Sequence, residues 1–410
     1  MSDTTAQSAQ GAFSIESSTP TGRSIANGIL TKNITSRVKG DPSIDLSQFL
    51  QQQAELYPQL CKNLSQRRDS NSSSSSTSSQ TDEKDQGSVS ATKAASQFQL
   101  TNNINIIYSL DDSIVVLAGA RQTPTEPESE YLAALASGLN QAINDSQTLW
   151  RLHNTAVLQI SPSQVVKVST SLDHDSITNL QYIRKHVQEV PTPYCLGALQ
   201  CGPWKYAFMT RAEGETLETV WPRLLTSHKR SIQQQLNMIF QQLRSRGRGL
   251  DKNKSTPQRI GSFVSGRCKD MRRDSREAEM PIQKEAQFND FLCRQPRRTE
   301  TPWIKMVRSF MSDNHELVMT HGDLHSRNIM VRWDSHTEVT NESERCIRIT
   351  SLIDWEVAGW YPAYWEFVKA LSTVQKRGPL ADWCDYLPTE AIGSWPKEFA
   401  MDLLISRWLG

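Results

Sequence analysis

The residues that could do chemistry lie on a polar loop between two short apolar runs. The segment LVMTHGDLHSRNIMVRWD (317–334) opens and closes with apolar residues, a pattern that is typical of two short strands. The loop between them carries His321, Asp323 and Asn328. Two strands that flank a loop can hold its side chains in a fixed place, as a reaction requires.

A second acidic residue follows Asp323 after 31 positions (354 − 323). In RITSLIDWEVAGWYPAYWE (348–366), apolar residues lead into Asp354, which predicts a carboxylate at a strand end. Two carboxylates and the amide of Asn328 are oxygen ligands of the kind that Mg²⁺ prefers, with phosphate oxygens completing its shell. One carboxylate would then remain to accept a proton. A lone His-Gly-Asp sequence is an ordinary turn, but HxDxxxxN followed by Asp354 is a specific combination.

The composition argues against several classes of protein. The 410 residues carry 45 Lys and Arg against 44 Asp and Glu, so no overall field attracts nucleic acid or anionic lipid. The seven cysteines show no CxxC spacing, which argues against a disulfide scaffold or a zinc site. The first residues lack the pattern of a signal peptide, and no apolar run approaches the ~18–20 residues that span a bilayer. We therefore expect a cytoplasmic protein with neither a nucleic acid nor a membrane as partner.

The chain is expected to begin with a tail that does not fold on its own. Its mean hydropathy of −0.53 is low for a chain that packs along its whole length. Residues 69–90 are dominated by serine and cannot bury enough apolar surface to offset their ordering entropy. We predict that residues 1–100 are a largely disordered tail with a short helix over 44–60, rather than a separate domain. A chain starting near Asn103 should then unfold at nearly the parent midpoint.

From about residue 105 the sequence predicts regular α and β elements. They are a buried strand (114–120), a helix (130–143), a hairpin (156–160 and 164–168), a helix from Ile177 to Val187, a strand (205–211) and a long helix (228–246) with Ile232, Leu236, Ile239 and Leu243 as its apolar stripe. Residues 244–300 are rich in arginine. Because acidic residues alternate with the basic ones, a solvated loop is favoured over a phosphate-binding patch.

The segment 317–366 resembles the catalytic core of the aminoglycoside phosphotransferase and choline kinase-like family, in a form similar to its large fungal branch. The resemblance extends over about residues 150–410. It implies a two-lobed α+β fold of the protein-kinase-like type. Residues 101–209 would form a small β-rich lobe that binds nucleotide, and residues 210–410 would form a mostly helical lobe with the catalytic and substrate-binding groups.

The same resemblance implies roles for the residues of the two motifs. Asp323 would be the catalytic base for the acceptor hydroxyl, and His321 would brace the loop. Asn328 and Asp354 would bind Mg²⁺, with ATP as phosphoryl donor and a small molecule as acceptor. A protein kinase is disfavoured, because Trp355-Glu356 replaces the Phe-Gly that follows the metal aspartate there.

Lys167 is the candidate for the strand lysine that contacts the nucleotide phosphates in this family. It lies between valines in QVVKV (164–168), just before a predicted helix. A lysine in such a strand is otherwise an edge residue whose ammonium reaches solvent. The resemblance further implies that Met209, Thr210 and Arg211 form a hinge whose backbone groups contact adenine.

Two departures from the family pattern leave the function open. The helix after Lys167 usually carries a glutamate that pairs with the lysine, but the spacing puts Ser176 there, with Asp175 beside it. Either Asp175 takes over with its shorter side chain, or the lysine lacks a partner. The second possibility favours a catalytically degenerate binding or scaffold protein. The phosphate-covering loop (149–160) also contains no glycine.

Two further groups of residues bear on the substrate. A group of aromatic residues could enclose a cationic ligand but is more typical of the core of a helical lobe: Trp360, Tyr361, Tyr364 and Trp365, with Trp383 and Tyr386 later in the chain. Several acidic residues could suit an amine-bearing substrate, or could be ordinary surface charges: Glu366, Asp382 and Asp385.

Overall fold

The computed structural model describes residues 96–121, 127–152, 154–251, 259–272, 276–294, 301–334, 345–374 and 377–409, with a few positions before residue 52. The chain divides into two compact units, Met1–Glu83 and Lys84–Gly410, and every element named below belongs to the second. The disorder predicted for residues 69–90 lies outside the described residues. Of the helix predicted over 44–60, the described positions Ser47 and Phe49–Gln51 are helical.

The first lobe is built on a six-stranded antiparallel sheet in the order β1-β5-β6-β4-β3-β2. The strands are β1 (Ile104–Tyr108), β2 (Gln147–Leu152), β3 (Thr155–Ser161), β4 (Gln164–Ser169), β5 (Cys195–Cys201) and β6 (Trp204–Thr210). Three helices accompany them: α1 (Asp112–Leu117), α2 (Glu128–Asn144) and α3 (His174–His186). The predicted hairpin and the predicted helices over 130–143 and 177–187 are confirmed, and β6 ends one residue beyond the predicted lobe boundary.

The face on which Lys167 lies follows from the alternation of side chains along β4. Val166 and Val168 are fully buried in the core that the sheet forms with α2. Successive side chains of a strand point to opposite faces, so Lys167 points away from that core. The sheet therefore presents Lys167, on a strand paired at both edges, toward the second lobe.

The second lobe is mostly helical, and its described residues form three small sheets, ordered β12-β11-β7, β10-β13 and β8-β9. Its helices are α4 (Leu217–Val220), α5 (Thr226–Asp251), α6 (Glu285–Cys293), α7 (Pro302–Ser309), α8 (Trp365–Ser372), α9 (Thr389–Ile392) and α10 (Pro396–Leu409). Its strands are β7 (Glu215–Thr216), β8 (Lys269–Asp270), β9 (Arg276–Glu277), β10 (Leu317–Thr320), β11 (Ile329–Trp333), β12 (Ile347–Leu352) and β13 (Gly359–Pro362). The α+β class with a β-rich lobe and a helical lobe is confirmed. Within the described residues, no helix is both long and apolar enough to cross a bilayer.

One face of helix α5 packs in the core of the second lobe. Ile232, Leu236 and Leu243 of the predicted stripe are fully buried, and Ile239 is half-buried. Phe240 completes the buried face. Such apolar spacing places the stripe on one side of a helix, which explains why the local pattern predicts this element well.

The strand predicted over 114–120 is wrong, because the segment forms helix α1 instead. Asp111 caps the helix, accepting a hydrogen bond from the Ser113 N–H at 2.9 Å. Ile114 is fully buried while Val116 is 74% exposed, so the apolar run has only one buried side. The cap and this one-sided burial outweigh the β propensity of the two valines.

The solvated loop predicted over 244–300 is also wrong for its described parts. This region contains the end of α5, the β8–β9 hairpin and α6. Arg272 is largely buried between Asp270 and Asp402, at 2.9 Å and 2.7 Å from their carboxylates. The interleaved acidic residues therefore neutralise buried arginines, which a local charge pattern does not distinguish from a solvated surface.

The folded lobe begins earlier than residue 101. Phe98 and Leu100 are buried in the core of the first lobe, and the Tyr206 hydroxyl donates a hydrogen bond to the Phe98 carbonyl at 3.1 Å. The tail boundary at residue 100 is thus too late. A chain that starts near Asn103 loses this packing and should not keep the parent midpoint.

Replacement of Phe98 by alanine should lower the free energy of unfolding by about 3–5 kcal/mol, because it empties a fully buried aromatic site. Urea unfolding of the full chain measures the change. Val116→Ala is the control and should change stability by less than ~0.5 kcal/mol, since that side chain is exposed. An unchanged midpoint for Phe98→Ala would show that this segment does not stabilise the lobe.

Candidate active site

The pairing of β11 with β12 brings the two motifs of the sequence together. Ile329 lies opposite Leu352 in this antiparallel pair. One residue beyond the ladder, the Ile353 N–H donates to the Asn328 carbonyl at 2.9 Å. Asn328 and Asp354 therefore lie at the same end of the two strands, as the sequence predicts.

A network of short hydrogen bonds fixes the loop that spans residues 321–328. The amide Nδ2 of Asn328 donates to the Asp323 carboxylate at 2.7 Å and to the Asp323 carbonyl at 3.0 Å. The Asp323 N–H donates to His321 Nδ1 at 3.2 Å. His321 Nε2 must then carry the ring hydrogen, and it donates to the Ile353 carbonyl at 3.0 Å. His321 thus bridges the loop and the end of β12, the geometry that its expected bracing role requires.

Glu366 holds the other side of the same loop. It lies in the first turn of α8, is fully buried, and accepts hydrogen bonds from the N–H groups of His321 at 2.6 Å and Gly322 at 3.3 Å. Burial raises the pKa of Glu366, although the nearby His321 and the two N–H groups oppose the shift. Sequence reasoning treated this residue as a substrate contact or a surface charge, and both interpretations are wrong. The feature of the sequence that could have indicated a structural role is the position of Glu366 in the first turn of an apolar helix.

Gly322 is required by close packing against the segment that follows Asp354. Its φ of 78° lies in the left-handed region, and a Cβ atom there would lie 2.7 Å from the Val357 carbonyl oxygen. The 321–328 loop can therefore approach this segment only with glycine at this position.

Asp354 occupies an unusual backbone conformation at the point where β12 ends. Its φ of 67° makes it the one residue other than glycine with a positive φ among those that the structure describes. Aspartate tolerates this region better than most residues, but the conformation is still less favourable than an ordinary turn. The turn directs the carboxylate to Lys167, whose Nζ lies 2.9 Å from Oδ1.

Lys167 has a second acidic partner that sequence reasoning missed. Its Nζ lies 3.1 Å from Oε2 of Glu356, two residues after Asp354. The lysine side chain is 18% exposed, so the ammonium is bound between two carboxylates in a largely enclosed place. The motif IDWE contained this residue, but nothing in its spacing indicated a contact with β4.

The three charges shift one another's pKa values. Burial alone would lower the pKa of the Lys167 ammonium, but the charges of Asp354 and Glu356 outweigh burial and raise it. Burial alone would raise the pKa of Asp354, but the Lys167 charge and hydrogen bond hold it below its ordinary value. The Asp354 charge, followed by burial, raises the pKa of Glu356. At neutral pH the ammonium is charged and Asp354 is ionised.

Asp175 does not pair with Lys167 in the structure. Its carboxylate is buried and lies 2.5 Å from the Nζ of Lys269, in the β8–β9 hairpin. Asp173 contacts the same ammonium at 2.5 Å, and the Ser176 hydroxyl donates to the Asp173 carbonyl. The hypothesis that Asp175 orients Lys167 is therefore wrong. The alternative that Lys167 has no acidic partner is also wrong, because it contacts Asp354 and Glu356.

The proposed hinge residues lie where β6 leaves the sheet. Met209 lies in the ladder between β4 and β5, opposite Val165 and Cys195. The Arg211 N–H donates to the Ser163 carbonyl at 2.8 Å. Contact between adenine and that N–H would have to break this bond. The roles of Met209 and Arg211 stay predictions.

The residues considered for substrate recognition mostly belong to the interior. The core interpretation of the aromatic group is confirmed, because five of its residues are buried and Tyr386 is half-buried against the core: Trp360, Tyr361, Tyr364, Trp365 and Trp383. Asp382 accepts hydrogen bonds from the Trp221 indole at 2.8 Å and from Lys229 at 2.6 Å, so it serves the fold.

The donor set at the end of β12 fits Mg²⁺ as part of a larger shell. Asp354 offers a carboxylate and Asn328 an amide oxygen, and both are the hard ligands that this ion takes. Across the described parts of the chain, no group of three or more histidine, cysteine or acidic side chains forms a complete metal site. Mg²⁺ commonly takes one or two carboxylates together with waters and phosphate oxygens, so these two side chains would supply part of its shell.

Comparison with known proteins gives the family. A family model described as the phosphotransferase enzyme family matches residues 140–388, which is more than half of the chain. The chain belongs to this family, as its two motifs predict. The fungal branch stays a prediction, and a search of curated proteins finds no match.

Several solved structures are similar at low identity. Aminoglycoside-3'-phosphotransferase of type VIII is 11% identical over 64% of this chain and 93% of its own, with a TM-score of 0.41. The ternary complex of APH(2")-IIa with streptomycin and ATP is 14% identical over 66% and 86%, with a TM-score of 0.42. ADP-bound APH(2'')-Ib is 12% identical over 66% and 88%, with a TM-score of 0.41. Such distant likeness says nothing about the substrate of this chain.

Glu366→Ala should destabilise the protein, because it leaves the N–H groups of His321 and Gly322 without their acceptor. The expected loss is about 1–3 kcal/mol for each unsatisfied buried group, measured by urea unfolding. Glu366→Gln keeps an acceptor oxygen and should lose less. Equal stability of all three proteins would contradict the bracing role.

The same residue should make stability depend on pH. Because burial raises the pKa of Glu366 in the folded state, its contribution is fully present below its ordinary pKa and is lost as pH rises through the folded value. The parent should therefore lose stability relative to Glu366→Gln as pH rises from about 4. A stability difference that is constant from pH 4 to pH 8 would contradict this assignment.

Proposed function

We propose that this member of the phosphotransferase family moves the γ-phosphate of ATP, in the presence of Mg²⁺, to a hydroxyl group of a small molecule. The observation that carries the proposal is that Lys167 of β4 lies 2.9 Å from Asp354, beside the loop that carries Asp323. His321 and Asn328 hold this loop against Ile353, the residue before Asp354. A proton acceptor, a metal ligand and a phosphate-binding cation are the parts that phosphoryl transfer requires.

Asp323 is proposed as the catalytic base. The Asn328 amide and the His321 ring hold its carboxylate and backbone from two sides. A carboxylate oriented in this way can accept the proton of an acceptor hydroxyl as the hydroxyl oxygen attacks phosphorus. The hydrogen bond from Asn328 also keeps the carboxylate from rotating toward solvent.

Asn328 and Asp354 would hold Mg²⁺, which would supply positive charge to the phosphate oxygens when bound. Lys167 would contact the same phosphates from β4. Its raised pKa keeps it charged at neutral pH, so it can offset the negative charge of the nucleotide.

The alternative of a catalytically degenerate scaffold loses its main support. It depended on Lys167 having no acidic partner, and Lys167 has two. The pointers to an amine-bearing acceptor also weaken, because Glu366 and most of the aromatic group are buried. The proposal therefore names the acceptor only by its hydroxyl group, and a metabolite panel assayed for ATP consumption would identify it.

Asp323→Asn should separate catalysis from nucleotide binding. The variant removes the base but keeps the metal ligands, so turnover should fall by a factor of ~10²–10⁴ while Mg²⁺-ATP affinity is retained. Asp354→Ala should instead weaken the Mg²⁺-dependent binding of ATP. Asp112→Asn, an exposed aspartate of α1, is the control and should behave like the parent. Parent-like turnover of Asp323→Asn would exclude Asp323 as the base.

Mg²⁺-ATP should raise the melting temperature of the protein by several degrees. At a hundredfold excess over Kd, a ligand that binds only the folded state adds ~2.7 kcal/mol of stability. The shift should shrink with EDTA and in Lys167→Ala, whose melting temperature without ligand is measured in parallel. A folded parent that shows no shift with millimolar Mg²⁺-ATP would overturn the proposed function.

A further inference from the structure

We propose that Glu356 is the positioning residue that holds Lys167 against the nucleotide phosphates, in place of the missing helix glutamate. The inference rests on the proposed function. The Lys167 ammonium lies 3.1 Å from Glu356 and 2.9 Å from Asp354, and both carboxylates come from the turn after β12. No side chain of α3 takes part in this contact among the hydrogen bonds of the described residues.

The acidic residues at the start of α3 form ion pairs with basic residues other than Lys167. Asp173 and Asp175 both contact the Lys269 ammonium at 2.5 Å, and Arg267 lies 3.1 Å from Asp173. These bonds fasten the helix to the β8–β9 hairpin. Turning Asp175 toward Lys167 would leave Lys269, which is 8% exposed, with one carboxylate fewer in a buried place.

Helix α3 acts on the lysine through the backbone next to Glu356. Asn179 of this helix is fully buried and donates to the Trp355 carbonyl at 3.1 Å and the Ala358 carbonyl at 2.9 Å. The Trp355 indole donates to the Leu352 carbonyl at 2.9 Å. The backbone is therefore fixed on both sides of Glu356, which makes its carboxylate a preorganised partner for an ammonium group.

The carboxylates of Asp354 and Glu356 then have different roles. Asp354 is the proposed metal ligand, and a carboxylate that faces a divalent cation is a weaker partner for a second positive charge. Glu356 is free of that task and can keep its bond to Lys167 while nucleotide is bound. The lysine can thus face the phosphates in a fixed direction, without losing its acidic partner to the metal.

The test compares Glu356→Gln with the parent in the binding of two probes, Mg²⁺-ATP and adenosine, measured by calorimetry and by melting temperature. Loss of the carboxylate should raise the Kd for Mg²⁺-ATP by about tenfold, and kcat/KM should fall by up to ~10²-fold once an acceptor is known. The Kd for adenosine, which has no phosphates, should stay within about twofold, since the lysine acts on phosphate alone. The Kd of Glu356→Asp for Mg²⁺-ATP should lie between the values for the parent and for Glu356→Gln.

Glu277→Gln is the matched control, because Glu277 is 42% exposed against 38% for Glu356 and also belongs to an ion pair, with Arg267. It should bind both probes like the parent. If the parent does not bind Mg²⁺-ATP, the proposed function fails, and this inference with it. If the parent binds and Glu356→Gln binds equally well, only the positioning role fails.

Two further results would overturn the positioning role while leaving the proposed function intact. An equal loss of ATP and adenosine binding in Glu356→Gln would show a general structural role. Recovery of ATP affinity at higher Mg²⁺ concentration would show that Glu356 acts on the metal. Should Glu356→Gln fail to fold, the comparison of Glu356→Asp with the parent decides by the same measurements.

Discussion

The ammonium group of Lys167 joins the six-stranded sheet to the turn after β12, and the geometry of the site depends on this contact. Two carboxylates lie within 3.1 Å of it, and without the positive charge they would repel each other in an enclosed place. The contact also accompanies the left-handed backbone of Asp354, whose φ is 67°. A conformation of that kind persists only where surrounding interactions determine it.

Several other buried polar or charged groups bind partners on distant elements, and these contacts fix how the elements meet. Glu366 connects α8 to the 321–328 loop, and Lys269 connects the β8–β9 hairpin to α3. Arg272 connects the same hairpin to Asp402 of α10. A buried pair adds little net stability over apolar packing, but breaking one leaves an uncompensated charge. Such pairs therefore favour one arrangement of the helices over its competitors.

The role of α3 differs from that of the corresponding helix in the family pattern, and the difference bears on function. In that pattern the helix supplies a glutamate to the lysine directly. Instead, Asn179 holds the backbone of residues 355–358, and that segment supplies Glu356. The chain thus keeps an acidic partner for its strand lysine although serine occupies the usual glutamate position.

The sequence by itself determined the two motifs, the strands that flank them, the β3–β4 hairpin and the long helix α5. Each is encoded by the spacing of apolar residues over a few turns or strands, so it can be predicted from the local sequence. Only the tertiary structure decided that α1 is a helix, that Glu366 braces the loop, and that Glu356 rather than Asp175 contacts Lys167. Lys167 and Glu356 are 189 positions apart, and Asp175 and Lys269 are 94 apart. Local spacing shows which residues are charged, but the partner that neutralises a buried charge is chosen by how distant elements pack.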